Sequence, residues 1–301
     1  MVRPINFRMN EQTAVNNYFQ EDLDLRNATI NKKAQEEFDN YVTKLKKYGI
    51  NVIVVSDSLE FDTPDSIFPN NWVSFHEDGT VVLYPMFAEN RRLERREEIL
   101  LDIENNGFNI ENIMDYTSAE EEGFFLEGTG SMILDRVHKK AYCAISPRAD
   151  EELFIEFCED FEYTPVIFTA NQTVENTRQP IYHTNVMMCI AETFAVICLD
   201  TIDDKKEKKN VILHLKDTNK EIIKISESQM HNFAGNMLQV QGNNDERFLI
   251  MSLAAYESLT KQQIERIESH CKIIYSSLET IETCGGGSAR CMIAEVFLPK
   301  Q

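Results

Sequence analysis

The stretch "TCGGGSARCMIAEVF", residues 283–297, places two cysteines around three consecutive glycines. Glycine loses more backbone entropy on folding than any other residue, so a triple glycine predicts a sharp turn or a close approach of the backbone to another group. Cys291 follows this turn and opens an apolar run that predicts a strand. The turn favours a thiol held at the mouth of a pocket, and a buried structural cysteine is the alternative. Cys284, which precedes the turn, is the competing thiol and is predicted to be structural.

The composition predicts a globular protein that binds neither nucleic acid nor membranes. Of its 301 residues, 43 % are hydrophobic and 27 % are charged, and the formal net charge is −20. This negative field repels phosphate backbones, and no apolar run is long enough to span a bilayer. The N-terminal "MVRPINFRMN" lacks the features of a secretory signal. The sequence leaves a homo-oligomer open.

The seven cysteines indicate a reducing compartment. Their number is odd, several lie in apolar runs such as "AYCAI", and no CxxC pair suggests zinc or dithiol chemistry. Since disulfides are rare in the cytosol and free cysteines persist there, we expect a cytoplasmic protein.

Alternating apolar and amphipathic segments predict repeated ββαβ units within one α/β domain, residues 1–301. The predicted strands are residues 51–55, 72–75, 80–84, 131–135, 140–146, 164–170, 185–191, 194–200, 248–253 and 291–297. The predicted helices are residues 31–49, 89–107, 147–162 and 258–271. Residues 200–210 form the most polar stretch and predict a solvated turn.

Three further stretches carry candidate chemistry. Glu127 lies in "FFLEGTGSMILD", residues 124–135, whose GxG does not match a dinucleotide fingerprint. His183 heads a strongly apolar strand, whereas the other five histidines have polar or charged neighbours. Residues 61–79 contain two prolines and a double asparagine, typical of a proline-shaped loop. A cysteine, a histidine and a carboxylate together suit covalent attack on a planar carbon that bears nitrogens.

Four motifs together resemble the guanidino-group modifying enzymes, which include arginine deiminases, dimethylargininases, amidinotransferases and succinylarginine dihydrolase. The motifs are PDxxFxxN at 64–71, LEGTGS at 126–131, H-x-N at 183–185 and GGGSARCM at 285–292. The resemblance covers nearly the whole chain. It implies a five-bladed α/β propeller, the pentein fold, and catalysis without a metal or an organic cofactor.

The resemblance also implies roles for individual residues. Cys291, His183 and Glu127 match the family's catalytic cysteine, histidine and acid, and Asp65 matches an acid that helps to bind the substrate. Arg148 and the arginines of "RRLERR", residues 91–96, resemble positions that bind a substrate α-carboxylate.

Asn71 and Asn185 stand where deiminases generally have aspartates that clamp the guanidinium cation. Because an amide both donates and accepts hydrogen bonds, it suits a neutral ureido group. The motif set is then most similar to the citrulline-utilisation hydrolase branch, which implies that citrulline is converted to ornithine, ammonia and carbon dioxide through a covalent cysteine intermediate.

Other activities remain open. An arginine deiminase, a dimethylargininase or an arginine or succinylarginine dihydrolase is the alternative within the superfamily. A non-enzymatic binding protein with the same propeller is the alternative of another class, and the three catalytic residue types and the net charge of −20 argue against it.

Overall fold

Four copies of one ββαβ unit make up most of the fold in the computed structural model, which describes residues 1–301. The strands are β1 (Val2–Arg3), β2 (Val55–Ser56), β3 (Val73–Phe75), β4 (Thr80–Leu83), β5 (Asn112–Asp115), β6 (Met132–Asp135), β7 (Lys140–Ala144), β8 (Thr164–Phe168), β9 (Asn171–Val174), β10 (Thr177–Pro180), β11 (Met188–Ile190), β12 (Phe194–Ile197), β13 (Glu221–Lys224), β14 (Leu238–Gln241), β15 (Arg247–Ser252) and β16 (Lys272–Ser276).

Helices connect these strands and also lie before the first unit. They are α1 (Glu11–Ala14), α2 (Asn27–Lys47), α3 (Glu89–Arg92), α4 (Glu97–Asn105), α5 (Gly128–Ser131), α6 (Glu151–Asp160), α7 (Lys205–Asp217), α8 (Glu227–His231), α9 (Leu253–Ser258), α10 (Lys261–Glu268) and α11 (Glu279–Gly285). Single 3₁₀ turns cover Pro69–Asn71, Thr117–Glu121, Thr184–Val186, Leu199–Thr201 and Asn243–Asp245. None of the helices is long and apolar enough to cross a membrane.

Each unit is a three-stranded sheet in which the second strand is central. The sheets are β3-β4-β5, β6-β7-β8, β11-β12-β13 and β14-β15-β16. The first two strands are antiparallel and the third is parallel to the second, as Val82 illustrates by pairing with Ser74 and Met114. Parallel neighbours need a crossover, which helices supply in every unit. The ββαβ repeat predicted from the sequence is therefore present four times.

The crossover helices follow from amphipathic sequences with clear start signals. Asp150 begins α6, where its side chain accepts hydrogen bonds from the backbone N–H groups of Glu152 and Leu153. Phe154 and Phe157, three residues apart, then lie buried on one face. The polar stretch 200–210, expected to be a turn, instead contains the start of α7, because Asp204 caps a helix whose charged residues face solvent.

The predicted strand at residues 291–297 is not formed. No backbone hydrogen bond joins residues 294–298 to a neighbouring strand. These residues border a largely apolar cavity of about 760 Å³, which is also lined by residues of β3, β6, β11 and β14. Nearby, β1 and β2 pair in parallel across α2, without a third hydrogen-bonded strand. A strand needs a neighbouring backbone as its hydrogen-bond partner, and residues 294–298 have none.

The largest apolar cluster lies around the third unit. It joins buried residues of β11 and β12 to Val211 of α7 and Leu249 of β15. The cluster also contains Tyr182 and Val186, which precede β11, and Ala234 and Met237, which precede β14. These segments carry some of the polar side chains described next.

Candidate active site

The segments that lead into the first strands of the units meet at one end of the molecule. The short helix α5 packs against the 3₁₀ turns Pro69–Asn71 and Thr184–Val186. Gly130 makes this approach possible, since a Cβ there would collide with Asn71 Nδ2 and lie 2.8 Å from His183 Nδ1. Gly130, the second glycine of "LEGTGS", is therefore required because two predicted site residues, Asn71 and His183, lie so close to it.

Glu127 and His183 form a buried hydrogen-bonded pair. The distance between Nε2 of His183 and Oε2 of Glu127 is 2.7 Å, and Oε1 of Glu127 accepts the backbone N–H of Phe87 at 3.0 Å. An ionised carboxylate can only accept, so Nε2 of His183 carries the proton. Nδ1 is left with a free lone pair beside Gly130.

Two arginines control the charge of this pair. Nη1 of Arg148 lies 3.6 Å and Nη1 of Arg91 lies 4.0 Å from Oε2 of Glu127. Burial alone would raise the pKa of Glu127, but Arg148, His183 and Arg91 together lower this pKa to about 2. Burial lowers the pKa of His183 to about 4, against the raising effect of Glu127. At neutral pH the carboxylate is therefore ionised and the imidazole neutral.

The thiol of Cys291 lies between two amides. Sγ accepts hydrogen bonds from Nδ2 of Asn185 at 3.3 Å and from Nδ2 of Asn236 at 3.2 Å. The Cys291 backbone N–H donates to the carbonyl of Ser288 at 3.0 Å, which closes a turn directly after the glycines. Asn185 was predicted to belong to the site, whereas Asn236 was not.

The triple glycine seats this turn against aromatic rings. Gly286 has a φ of +61°, in the left-handed region that favours glycine. A Cβ on Gly287 would lie 2.9 Å from the ring of Phe68 and 3.3 Å from Cβ of Cys291. Cys284 is buried before the turn, where burial raises the pKa of its thiol. The backbone at the triple glycine therefore passes close to Phe68, as the sequence predicted.

The histidine segment and the cysteine turn are joined at two points. The hydroxyl of Tyr182 donates to the carbonyl of Gly286, and Asn185 contacts Sγ of Cys291. His183 lies between these two residues in the chain. The structure thus brings Glu127, His183, Asn185 and Cys291 into one buried group.

Three buried polar atoms of the predicted substrate-binding residues have no hydrogen-bond partner: Oδ1 of Asp65, Nδ2 of Asn71 and Oδ1 of Asn185. Their opposite atoms are all engaged. Oδ1 of Asn71 accepts from Nη1 of Arg91 at 2.8 Å, and Oδ2 of Asp65 accepts from Asn10 at 2.8 Å. Buried polar atoms are normally paired, so these three mark a place for a polar ligand.

The predicted carboxylate-binding arginines are all engaged within the protein. Arg148 is buried and donates to Oδ1 of Asn16 and to the carbonyl of Thr13, both at 2.8 Å. Within residues 91–96, Arg91 pairs with Glu94 at 2.8 Å, and Arg92 and Arg95 contact Glu120. Arg96 donates to the carbonyl of Ser56. A substrate carboxylate would have to replace one of these contacts, and the proposed role stays a prediction.

Residues 10–20 cover the site. Asn10 and Thr13 contact Asp65, Asn16 contacts Arg148, and Asn17 and Gln20 donate to the carbonyls of Gly285 and Cys284. Sequence reasoning missed this segment, which carries no local signal of such a role. For Asn236 a signal did exist. Glu127, His183, Asn236 and Cys291 follow one another at intervals of about 55 residues, the length of one unit.

No group of three or more His, Cys, Asp and Glu side chains is arranged to hold a metal ion. The chemistry that the group offers is that of a thiol, a neutral imidazole and an ionised carboxylate.

A family model described as N,N dimethylarginine dimethylhydrolase, eukaryotic, matches residues 3–298. Comparison with curated proteins gives no significant match. The fold resembles that of ArgZ, an arginine dihydrolase from the ornithine-ammonia cycle in cyanobacteria, with a TM-score of 0.75 and 16 % identity. That match covers 100 % of this chain and 40 % of ArgZ.

Two further structures share the fold. The N-terminal domain of ArgZ bound to substrate has a TM-score of 0.70 and 17 % identity, and the match covers 99 % of this chain and 98 % of that domain. A dimethylarginine dimethylaminohydrolase adduct with S-methyl-L-thiocitrulline has a TM-score of 0.62 and 15 % identity, with 97 % and 96 % of the two chains covered.

Proposed function

Because the chain belongs to the N,N-dimethylarginine dimethylhydrolase family, a group of hydrolases in the amidinotransferase superfamily, we propose that it hydrolyses the ureido group of L-citrulline through a covalent bond to Cys291. The products are ornithine, ammonia and carbon dioxide. The proposed catalytic residues are Cys291, His183 and Glu127, and the proposed substrate ligands are Asp65, Asn71, Asn185 and Arg148.

The orientation of Asn71 carries the choice of a ureido group. Arg91 only donates, so it must face Oδ1 of Asn71, and Nδ2 is the atom left for a ligand. A guanidinium group offers only N–H donors and would leave this amide N–H unpaired. A ureido oxygen accepts from it. The free Oδ1 atoms of Asn185 and Asp65 then accept ureido N–H groups.

The mechanism uses the charge states described above. His183, neutral with a free Nδ1, takes the proton of the Cys291 thiol as sulfur attacks the ureido carbon. It returns this proton to the terminal nitrogen, and the C–N bond breaks to release ammonia and leave an S-carbamoyl cysteine. His183 then accepts a proton from water, which attacks the same carbon and displaces sulfur. The resulting carbamate loses carbon dioxide and gives ornithine.

Glu127 orients His183, and Arg148 in turn stabilises the ionised form of Glu127. The ionised carboxylate holds Nε2–H of His183 and stabilises the imidazolium that forms when Nδ1 accepts a proton. Arg148, 3.6 Å from Oε2, keeps that carboxylate ionised in a buried place. The resemblance predicts that Arg148 also binds the substrate α-carboxylate, which would require it to exchange the contact with Asn16.

Hydrolysis of arginine or a derivative is the second candidate, and the carboxylate of Asp65 is the observation that favours it. Its free Oδ1 would pair with a guanidinium, and the fold neighbour ArgZ is an arginine dihydrolase. A binding protein without activity is disfavoured, because it has no use for a thiol, an imidazole and a carboxylate held in one buried group.

The five-bladed propeller is the architecture that we propose for the single domain, residues 1–301. The first strands of the four units and residues 293–297 line one cavity, which supports a central channel with β1, β2 and the C-terminal segment as the fifth blade. A cytoplasmic location fits the seven free cysteines.

The test incubates the same enzyme with citrulline, arginine, N,N-dimethylarginine or succinylarginine, follows the loss of each substrate, and identifies the amine and the amino-acid product released. We expect the highest kcat/KM for citrulline. Cys291→Ser should abolish turnover and Cys284→Ser should retain it. Higher kcat/KM for arginine or its derivatives would replace the citrulline assignment with the second candidate, and full activity of Cys291→Ser would refute the covalent mechanism.

A further inference from the structure

Asn236 donates a hydrogen bond to the Cys291 sulfur and lies outside all of the sequence motifs. It is fully buried in the segment that leads into β14. Its side chain makes three contacts: Nδ2 lies 3.2 Å from Sγ of Cys291 and 3.0 Å from the carbonyl oxygen of Asn185, and Oδ1 lies 3.0 Å from the backbone N of Arg290.

These contacts fix which end of the amide faces sulfur. The backbone N–H of Arg290 can only donate, so it must meet Oδ1, and the carbonyl of Asn185 can only accept, so it must meet Nδ2. One Nδ2 hydrogen therefore goes to the carbonyl and the other to Sγ. Asn185 adds a second amide donor at 3.3 Å from the same sulfur. Sulfur consequently receives two hydrogen bonds from neutral amides, and the amide of Asn236 is fixed by its two other contacts.

We propose that Asn236 is a catalytic residue which, together with Asn185, stabilises the Cys291 thiolate by donating an amide hydrogen bond to sulfur. Two N–H donors stabilise the thiolate, which only accepts hydrogen bonds, more than the thiol, whose own S–H also needs a partner. They also stabilise the sulfur as the leaving group when its bond to the carbamoyl carbon breaks. The proposal rests on Cys291 being the nucleophile of the proposed function.

Asn236→Asp is the sharpest variant, because it keeps the size of the side chain and an oxygen for the Arg290 N–H. It replaces the donor to sulfur with a carboxylate oxygen. Asn236→Leu removes the donor without adding charge, and Asn236→Ser provides a smaller third variant. Asn232→Asp is the matched control, since Asn232 is exposed and donates only to the carbonyl of Ser228.

The readout is the rate at which iodoacetamide alkylates Cys291 as a function of pH, located by peptide mass spectrometry. A hydrogen bond to a charged group contributes enough to move the midpoint of this profile upward by about one pH unit or more. We expect that shift in Asn236→Leu and Asn236→Ser, a larger one in Asn236→Asp, and none in Asn232→Asp. The kcat should fall in parallel, at least about tenfold at pH 7, with less change in KM.

Unchanged alkylation profiles in the folded Asn236 variants would overturn the proposal and leave Asn236 as a support of the turn. Alkylation needs no substrate, so the result does not depend on which substrate is turned over. If Cys291→Ser stays active while the profiles shift as expected, the proposed function fails and the stabilisation of the sulfur stands.

Discussion

Nη1 of Arg91 donates to Oδ1 of Asn71 at 2.8 Å, and the same guanidinium is held by Glu94 at 2.8 and 3.0 Å. All three side chains are buried. If the amide of Asn71 turned over, its Nδ2–H would face the N–H donors of Arg91, and that guanidinium would lose an acceptor. An asparagine amide can donate or accept, but the contact with Arg91 leaves Asn71 with only a donor to offer to a ligand.

Asn71→Asp should shift the substrate preference toward arginine. The variant presents a carboxylate oxygen where the ureido oxygen needs a donor, and an unpaired buried polar group costs about 1–3 kcal/mol. We expect kcat/KM for citrulline to fall about tenfold to a hundredfold, with a smaller loss for arginine. Adding Asn185→Asp should move the ratio further. Both substrates must be measured on each variant, and an unchanged ratio in the double variant would contradict the role of the two amides.

His183 should set the acidic limb of the pH–rate profile. Its pKa of about 4 means that Nδ1 is free at neutral pH and becomes protonated only in acid. We therefore expect kcat/KM for citrulline to fall as the pH drops through about 4, since protonation removes the base. His183→Ala should lose about 10²–10⁴-fold in rate while it stays folded.

His138→Ala is the matched control, because His138 pairs with Asp135 outside the site at 3.0 Å. A comparable loss in His138→Ala, with His183→Ala still active, would show that a different histidine carries the proton.

Gly130→Ala should damage activity more than stability. The added Cβ would meet Nδ2 of Asn71 and Nδ1 of His183. Displacing two reacting or binding atoms by a fraction of an ångström to an ångström can cost about 10²-fold in rate, whereas overpacking costs about 1–3 kcal/mol in stability. Gly107→Ala provides the contrast. Its Cβ meets nothing within 4 Å but its φ is +86°, so that variant should lose stability and keep its kcat. Equal kcat values for the two variants would contradict the steric role.

Glu282 should make the protein less stable as the pH rises from about 4.5 to 7. Burial, with smaller contributions from the nearby Glu37 and Glu279, raises the pKa of Glu282 to about 7 against the lowering effect of hydrogen bonds from Ser252 and Ser288. Between these pH values the unfolded state has released the proton that the folded state still binds, so the free energy of unfolding falls with rising pH.

Glu282→Gln keeps an acceptor for Ser288 and removes the titration. It should be more stable than the wild type at pH 8, by up to about 3 kcal/mol, and the difference should shrink toward pH 4.5. Chemical denaturation of both proteins at several pH values measures the stability difference and its dependence on pH. A stability difference between the two proteins that is independent of pH would exclude Glu282 as the group.

Most strands that the sequence revealed are largely buried, whereas the strands that it missed are partly exposed; β8, an outer strand with two exposed residues, was nevertheless predicted. "TVVLY" and "FAVICLD" are continuous apolar runs, and β4 and β12 lie at the centres of their sheets. By contrast, "EIIK" of β13 and "KIIYS" of β16 place charged or polar residues at exposed positions of an outer strand. Such short sequences become strands because a buried neighbour supplies the backbone partners, and local sequence does not contain that information.

The site residues also divide into those that the sequence revealed and those that it did not. Cys291 and Glu127 could be selected because they lie beside glycine-rich stretches, and His183 because it heads an apolar strand; the resemblance of the motifs then implied their roles. The contact of Asn16 with Arg148 could not, because it joins positions 132 residues apart and neither local sequence indicates the other. Which end of each amide faces the ligand also depends on three-dimensional neighbours, as the Arg91 contact of Asn71 demonstrates.

The site residues lie far apart in the sequence, so we expect the active site to form late in folding. His183 meets Glu127 across 56 residues, Asn185 meets Cys291 across 106, and Asn17 meets Gly285 across 268. Long-range contacts form slowly because loop closure costs entropy before the contact offsets it. Each unit can gain its own secondary structure without assembling the thiol, imidazole and carboxylate. After dilution from denaturant, recovery of turnover should therefore lag behind recovery of the far-ultraviolet circular dichroism signal, and activity reports when the last unit has docked on the first.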